Sequence, residues 1–430
     1  MWYRLDGNGP LALSGICLFA SAFTLAESAS LPSPTIALAY GSLTVSGLAG
    51  ALLAWKRRDR TAIALVAGFG VAARLALFAS PPIFSHDVYR YLWDGRVMLA
   101  GLDPLALAPR DPLLAHLAAT PLFAYVDYRS IPSLYPPFAY ALFYVGAFSS
   151  GVYGEKLVML GGDLIALGLV LVTLHRRVLP LGRATVYAWS PLVLLEFAQN
   201  GHLESWAVAA VLVTALALTL ERRALAAVAL TCATLVKLTP AAFIPLAFAR
   251  APRWALACVT ACAAVYAVAY AVGVPLPHSL RNYISVQRFF PTAFRAVGPL
   301  GSGLIFVAVV AFATWRRRAT GNFATGVIAI QLAFMLCTPN ALPWYATLIP
   351  AAVPLVDDRG RAESLTLAAL IVVASILPLA YGPPIFPATG DVAIVIAALA
   401  AAVIGVVAVI LRAPFFDRRT RSVAIAQEIA

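Results

Sequence analysis

A chain of 430 residues that is 62% hydrophobic and only 12% charged is too apolar for a water-soluble globule and indicates a polytopic, all-helical membrane protein. Alternating apolar and polar segments of barrel length do not recur, which argues against a transmembrane β-barrel. The formal charge of +12, from 31 basic and 19 acidic residues, is gathered in short clusters between apolar runs, where membrane topology places it, so nucleic acid is not the implied partner.

Leu11–Ala26 and Pro34–Trp55 read as the first two spans. Arg4 and the Ala26-Glu27-Ser28-Ala29 stretch imitate a secretory signal, but the apolar run is long and another follows at once, so an uncleaved span is expected. Lys56-Arg57-Arg58-Asp59-Arg60 then marks a cytoplasmic stop, and Thr61–Ala79 crosses outward. The stretch from Ser80 to Tyr135 is therefore external, and its Asp/Pro turns and Leu113–Leu122 apolar run suggest amphipathic helices on the outer membrane surface. It opens on Ser85-His86-Asp87-Val88-Tyr89-Arg90-Tyr91-Leu92-Trp93-Asp94-Gly95-Arg96, the first strongly polar, aromatic-rich segment in the chain. The bland alternative for that segment is a solvated loop with an interfacial aromatic belt.

Pro136–Ser149 is apolar but short, and is expected to be re-entrant or interfacial. Lys156–Leu174 then leads inward to His175-Arg176-Arg177. Ala184–Ala198 reads as an outward helix, Gln199-Asn200-Gly201-His202-Leu203-Glu204 as an external turn, and Ser205–Leu220 as the return. Ala224–Ala249 is interrupted at Lys237-Leu238-Thr239-Pro240. Trp254–Val274 reaches a second external loop, Pro275–Pro299. Leu300–Thr314, Phe323–Cys337, Leu342–Val356, Glu363–Ala380 and Asp391–Leu411 then alternate, giving about 12 to 14 spans with both termini cytoplasmic. One transmembrane domain is expected, with residues 61–360 as its core, flanked by extra spans in 1–60 and 361–430. The five cysteines lie in or at the ends of apolar stretches and form no CxxC pair, so neither a disulfide framework nor a zinc site is implied.

This topology collects several polar groups on one face: Asp87, Arg90, Asp94 and Arg96; His202 and Glu204; Arg281, Arg288 and Arg295; and Pro343-Trp344-Tyr345. Lys237, one of three lysines in the chain, joins them if the interrupted segment reaches that side. Ionisable groups at a membrane edge are costly unless partnered or used. Arginines offer planar forks to phosphate oxygens, and a carboxylate beside an acceptor hydroxyl can act as general base. The set therefore suits transfer from a lipid-phosphate leaving group. His86, Asp87, His202 and Glu204 also offer ligands that a hard divalent ion accepts, so metal dependence stays open and no cofactor is fixed.

The ordered set HDVYRYLWDGRVMLAGLDP, LYPPFAYALF, SPLVLLEFAQNGHLES, KLTP and PNALPWY, spread over residues 60–350, resembles the GT-C superfamily of integral-membrane glycosyltransferases. It is most like bacterial polyprenol-phosphate-mannose-dependent mannosyltransferases. The resemblance implies a bundle in the cell membrane that moves a hexose, mannose above all, with inversion. The donor is a polyprenyl-phosphate sugar, and the acceptor a glycan or lipid-linked molecule on the periplasmic or exterior face. It implies Asp87 as the catalytic base, with Glu204 beside it where many relatives carry aspartate. Lys237 falls near the donor phosphate. His86, Arg90, Tyr91, Asp94, Arg96, Tyr135, His202, Arg281, Arg288, Trp344 and Tyr345 become candidate substrate contacts. A multi-span transporter or flippase is the alternative. It would show broken helices at corresponding positions of two halves, and only one clear break is present.

Overall fold

The computed structural model describes residues 8–27, 33–149, 151–271, 293–339 and 341–356. Within them the chain is helical, without strands, as the composition requires. Eleven helices of ten or more residues are numbered in chain order. They are α1 (Asn8–Ala26), α2 (Ser33–Ala54), α3 (Arg60–Phe78), α4 (Asp87–Leu99), α5 (Pro137–Ala147), α6 (Val152–Arg176), α7 (Glu204–Thr219), α8 (Arg223–Val236), α9 (Pro252–Ala271), α10 (Ala293–Thr320) and α11 (Phe323–Cys337). By length and apolarity α1, α3, α6, α9 and most of α10 suffice to cross a membrane. At 11 residues, or about 16 Å, α5 is too short to cross, as its sequence suggested.

The bundle has two chemically distinct ends. One carries the starts of α4, α6 and α7 and the end of α8. The other carries Arg57, Arg58, Arg60, Arg176, Arg177, Arg222, Arg223, Arg250 and Arg316–Arg318. Extended apolar helices would slide without fixed points, and buried charges supply them. Arg74 of α3 pairs with Asp163 of α6 at 2.6 Å, both fully buried, and also donates to the Ala188 carbonyl at 2.7 Å. The Tyr187 hydroxyl donates to the same aspartate at 2.8 Å. Lys156 of α6 caps α3 by donating to the carbonyls of Phe78 (2.8 Å) and Ser80. Each charge thus satisfies backbone or a counter-ion that lipid would leave bare.

Two expected spans are differently built. Ala184–Ala198 is not one helix: a 3-10 turn (Leu181–Ala184) and one α-turn (Thr185–Ala188) stop before Ser190-Pro191, and a π-helix, Leu194–Gln199, follows. Proline cannot donate to the preceding turn, and this one restarts the helix at its first position with the Ser190 hydroxyl as cap. Leu342–Val356 winds through a 3-10 turn (Pro343–Thr347), one α-turn and a second 3-10 turn (Val353–Leu355), with Pro343, Pro350 and Pro354 spaced along it. The break at Lys237 is as the sequence indicates: α8 ends, Lys237 is extended (φ −147°, ψ 139°), and a 3-10 turn follows from Thr239. Residues 357–430, with their two expected spans, lie outside the described residues.

Candidate active site

α4 is amphipathic, but it does not lie bare on a surface. Val88, Tyr91 and Phe143 pack on its bundle side, and Trp93, Val97, Leu114 and Val126 form a second small core beneath the 102–131 loop. Gly95 makes this possible. A Cβ there would sit 2.3 Å from the Phe143 carbonyl oxygen of α5, so only glycine lets the two backbones meet. Arg90 and Asp94 fasten the other side. Arg90 donates to Asp94 (3.0 Å) and to the carbonyls of Tyr128 (3.1 Å) and Ile131 (3.0 Å), and Ser133 donates to Asp94. Burial pushes the Asp94 carboxyl up, against the opposing Arg90 and Ser133.

Rigid placement of α4 sets Asp87, its first residue. The acid sits where the helix N-terminus favours negative charge. The preceding loop is held by Asn200, whose Oδ1 accepts from the backbone N–H of Phe84 at 3.2 Å. His86 points outward to Asp127 (3.6 Å) and to the rings of Tyr89 and Tyr125, on the rim.

The turn after the π-helix supplies the facing wall. Gly201 takes φ +70°, and a Cβ there would press within 3.0 Å of Val88 and 3.2 Å of Lys156, so the turn needs glycine on both counts. The turn buries His202 completely, its ring stacked on Trp344 with centroids 4.1 Å apart. Three carboxylates surround that imidazole. Nε2 lies 3.3 Å from Glu196 Oε2, a close approach rather than an aligned hydrogen bond; Nδ1 lies 3.8 Å from Asp87 and 4.0 Å from Glu204. Glu196 Oε2 also accepts from Asn200 at 3.3 Å. Burial, with help from Lys237, holds the His202 imidazole well below its ordinary range, so it is neutral at pH 7.

Lys237, freed from helix by the Pro240 break, pairs with Glu204 at 2.7 Å. Its ammonium faces the rings of Tyr135 (5.6 Å) and Tyr345 (5.3 Å). Tyr91 lies beneath Tyr135 in an edge contact, and Gln331 of α11 donates to the Tyr345 carbonyl at 2.6 Å. Asp87 is the carboxylate that keeps access to solvent, 22% exposed against 7% for Glu204 and 1% for Glu196. Its pKa is raised to about 7. Burial dominates, the Lys237 charge opposes it, Glu204 and Asp127 add to it, and Arg90 opposes. A carboxylate that titrates near neutrality beside a cation and a wall of rings is fitted to proton transfer on a bound hydroxyl.

The structure thus brings Asp87, His202, Glu204, Lys237, Tyr91, Tyr135, Trp344 and Tyr345 together. Arg90 and Asp94 are close but engaged with the 127–133 loop, and Arg96 sits at the far end of α4, about 14 Å along its axis. Arg281 and Arg288 lie outside the described residues. Among the described residues, no three His, Cys, Asp or Glu side chains group as metal ligands, and His86 points away from the other three named for that role. Glu196 is a site residue that the sequence patterns above do not single out. As an acid in an apolar run it carried the signal of an intramembrane ionisable group.

Comparison with known proteins gives this geometry a context. No solved structure matches the chain. Alpha-(1->6)-mannopyranosyltransferase A of Mycobacterium tuberculosis is 26% identical over 376 residues, covering 73% of this chain and 71% of that protein. Residues 21–256, more than half of the chain and including Asp87, Glu196, His202, Glu204 and Lys237, match the family described as "Alpha-(1->6)-mannopyranosyltransferase, N-terminal domain". The chain belongs to this family of membrane mannosyltransferases.

Proposed function

We propose that the protein transfers a mannosyl residue from a polyprenyl-phosphate donor to a hydroxyl of a glycan or lipid-linked acceptor. Transfer inverts the anomeric carbon and takes place at the non-cytoplasmic face of the cell membrane. The observation that carries the reading is Asp87: a partly exposed carboxylate, raised to about 7, beside the Lys237–Glu204 pair and the Tyr135, Trp344 and Tyr345 rings. Sidedness is supported by the basic clusters at the opposite end of the bundle, which the positive-inside rule assigns to the cytoplasm. The name of the mycobacterial relative and the family description support an α-(1→6) linkage.

In the reaction, the acceptor O–H gives its proton to Asp87 while its oxygen bonds to C1 of the mannose. The bond from C1 to the phosphate oxygen breaks, and polyprenyl phosphate leaves with the electron pair. Lys237 supplies positive charge where the phosphate develops its second negative charge, and Glu204 keeps the ammonium in place. Glu196 and the Trp344 ring fix the His202 imidazole. Nε2 of the imidazole faces Glu196 Oε2, which also accepts from Asn200, and Nδ1 faces Asp87. Arg90 acts as a clamp on the loop rather than on phosphate. The aromatic rings offer flat apolar faces to the sugar.

The test is incubation of membranes carrying the protein, or its Asp87→Asn variant, with radiolabelled polyprenyl-phosphate mannose and an α-mannoside acceptor. The expected result is a labelled, α-mannosidase-sensitive, 6-linked product from the wild type and none from the variant. Full transfer by Asp87→Asn, or equal transfer from a nucleotide-linked mannose without the lipid, overturns the proposal.

A further inference from the structure

Beside Asp87, the start of α4 and the 102–131 loop form a patch of exposed rings. Tyr89 stacks on Tyr125 with centroids 4.8 Å apart and planes 21° from parallel, and His86 meets both rings edge-on. Asp127 lies 3.6 Å from His86 Nδ1 with its side chain 53% exposed. Tyr125 remains 49% exposed although one of its faces is stacked.

The loop is built to hold this patch still. Val126 is 1% exposed and extended (φ −77°, ψ 118°), so it plugs the small core beneath the loop while its neighbours Tyr125 and Asp127 both stay outside. Arg90 donates to the carbonyls of Tyr128 and Ile131, and Arg129 to those of Val126 (2.8 Å) and Ala124 (2.7 Å). Between these clamps Tyr128 takes φ +53°, a backbone that a bulky residue keeps only where its surroundings impose it. A tyrosine that merely anchors a protein at a membrane surface needs none of this.

The patch also reaches the base. After burial, the Asp127 charge is among those that raise Asp87. Burial, then the charges of Asp87 and Asp127, raise the Tyr128 hydroxyl to about 12, so both carboxylates act on it. The two sides of Asp87 differ in sign. Lys237 offers a cation on one side, between Tyr135 and Tyr345. The other side offers the Asp127 carboxylate, and the arginines near it are bonded to loop carbonyls. A phosphate is disfavoured there. A neutral sugar fits, because its hydroxyls donate to a carboxylate and its C–H face packs on a ring.

We propose that this patch is the acceptor subsite: Tyr125 supports the ring of a neutral terminal mannoside and Asp127 accepts from its hydroxyls, presenting the attacking hydroxyl to Asp87. The inference rests on the mannosyl transfer set out above.

The test uses the full chain in detergent with methyl α-(1→6)-mannobioside. Binding without donor is followed by saturation-transfer NMR, and transfer with radiolabelled polyprenyl-phosphate mannose at a pH above the Asp87 titration. Tyr125→Ala and Asp127→Asn are each expected to raise the acceptor KM about tenfold while the donor KM stays within about twofold, and Tyr125→Phe to keep the wild-type value. The NMR signal of the mannobioside falls in parallel. Binding by wild type that is lost in Tyr125→Ala supports the subsite even where no transfer from the lipid donor is found, so the two readings fail separately. The proposal is overturned if wild type does not bind the mannobioside at millimolar concentration. It is also overturned if Tyr125→Ala and Asp127→Asn keep the wild-type acceptor KM and binding, or if the donor KM rises as much as the acceptor KM. A lower Tm in Tyr125→Ala with binding unchanged assigns the ring to interfacial anchoring and overturns it too.

Discussion

His202 Nδ1 lies 3.8 Å from a carboxylate oxygen of Asp87, and the imidazole is buried and neutral. A neutral ring cannot stabilise the Asp87 charge as an imidazolium would, which is consistent with a carboxyl that titrates at about 7 rather than near 4. The base must be ionised to act, so kcat/KM rises with pH through a limb near 7 and levels off above it. Asp87→Asn lowers turnover by about 10² to 10⁴, the usual contribution of a general base. The variant melts no lower than wild type above pH 7. There the wild-type folded state carries a partly buried charge that asparagine lacks, and a raised carboxyl pKa makes folding less favourable as pH climbs from about 4 to about 7.

The neighbours of Asp87 pull its titration in opposite directions. Lys237 lowers it and Glu204 raises it. Lys237→Met moves the acidic limb of the pH profile to higher pH, whereas Glu204→Gln moves it to lower pH. The two profiles are distinguishable even where both variants lose rate. Limbs that shift the same way, or not at all, contradict the electrostatic assignment of this cluster.

Glu196 faces Asp87 across the His202 ring and also interacts with it directly by charge. Glu196→Gln removes that charge interaction and presents an amide that can donate to Nε2, which favours a ring proton on Nδ1, towards Asp87. That stabilises the carboxylate, so the acidic limb falls to lower pH. Glu196→Leu leaves the imidazole without its polar neighbour and loses rate with little change in KM. A purely structural role for Glu196 would lower the amount of folded protein and leave the position of the limb unchanged.

At Gly95, α4 packs against the backbone of α5. Replacing it by alanine drives a methyl to within 2.3 Å of the Phe143 carbonyl oxygen, a backbone atom that cannot rotate away. The helix carrying Asp87 must shift by several tenths of an ångström or more. Gly95→Ala therefore loses about 10²-fold in transfer, as expected for misplacement of a reacting group. It also loses about 1–3 kcal/mol of stability from overpacking. Activity assays and thermal melts in detergent check the two effects separately.

Some of this site is legible in the sequence, and some is not, for identifiable reasons. Asp87 and Lys237 announce themselves because ionisable groups beside apolar runs are costly, and Pro240 locates the break that exposes Lys237. Arg90 stands out for the same reason, but its partners are less readable: Asp94 is an i+4 acid, whereas the carbonyls of Tyr128 and Ile131 are backbone acceptors that leave no mark on residue identity. The split of Ala184–Ala198 follows from Pro191 and is readable. The π-turn after it depends on packing against α3 and α6 and is not. Glu196 stands out as an acid in an apolar run, but its aim at His202 depends on that extra turn.

Deep in the bundle, Arg74 and Asp163 test how far the site depends on buried charge. They pair at 2.6 Å with no exposure, and the Tyr187 hydroxyl and Ala188 carbonyl complete their bonding. Arg74→Met leaves Asp163 with the tyrosine alone in an apolar interior, at a cost of about 3–5 kcal/mol. Thermal melts in detergent are expected to show a large fall in Tm for this variant and a smaller one for Asp163→Asn, which keeps a polar partner for both neighbours. The double substitution Arg74→Met with Asp163→Leu removes both charges and recovers much of the loss, because the desolvation cost goes with them. The pair joins α3 to α6, and α3 leads directly into the loop before Asp87. Arg74→Met therefore also lowers transfer at temperatures below its melt, while the double variant restores it in proportion to its Tm. Recovery of Tm without recovery of transfer would mean that the ion pair sets the loop position directly rather than through bundle stability.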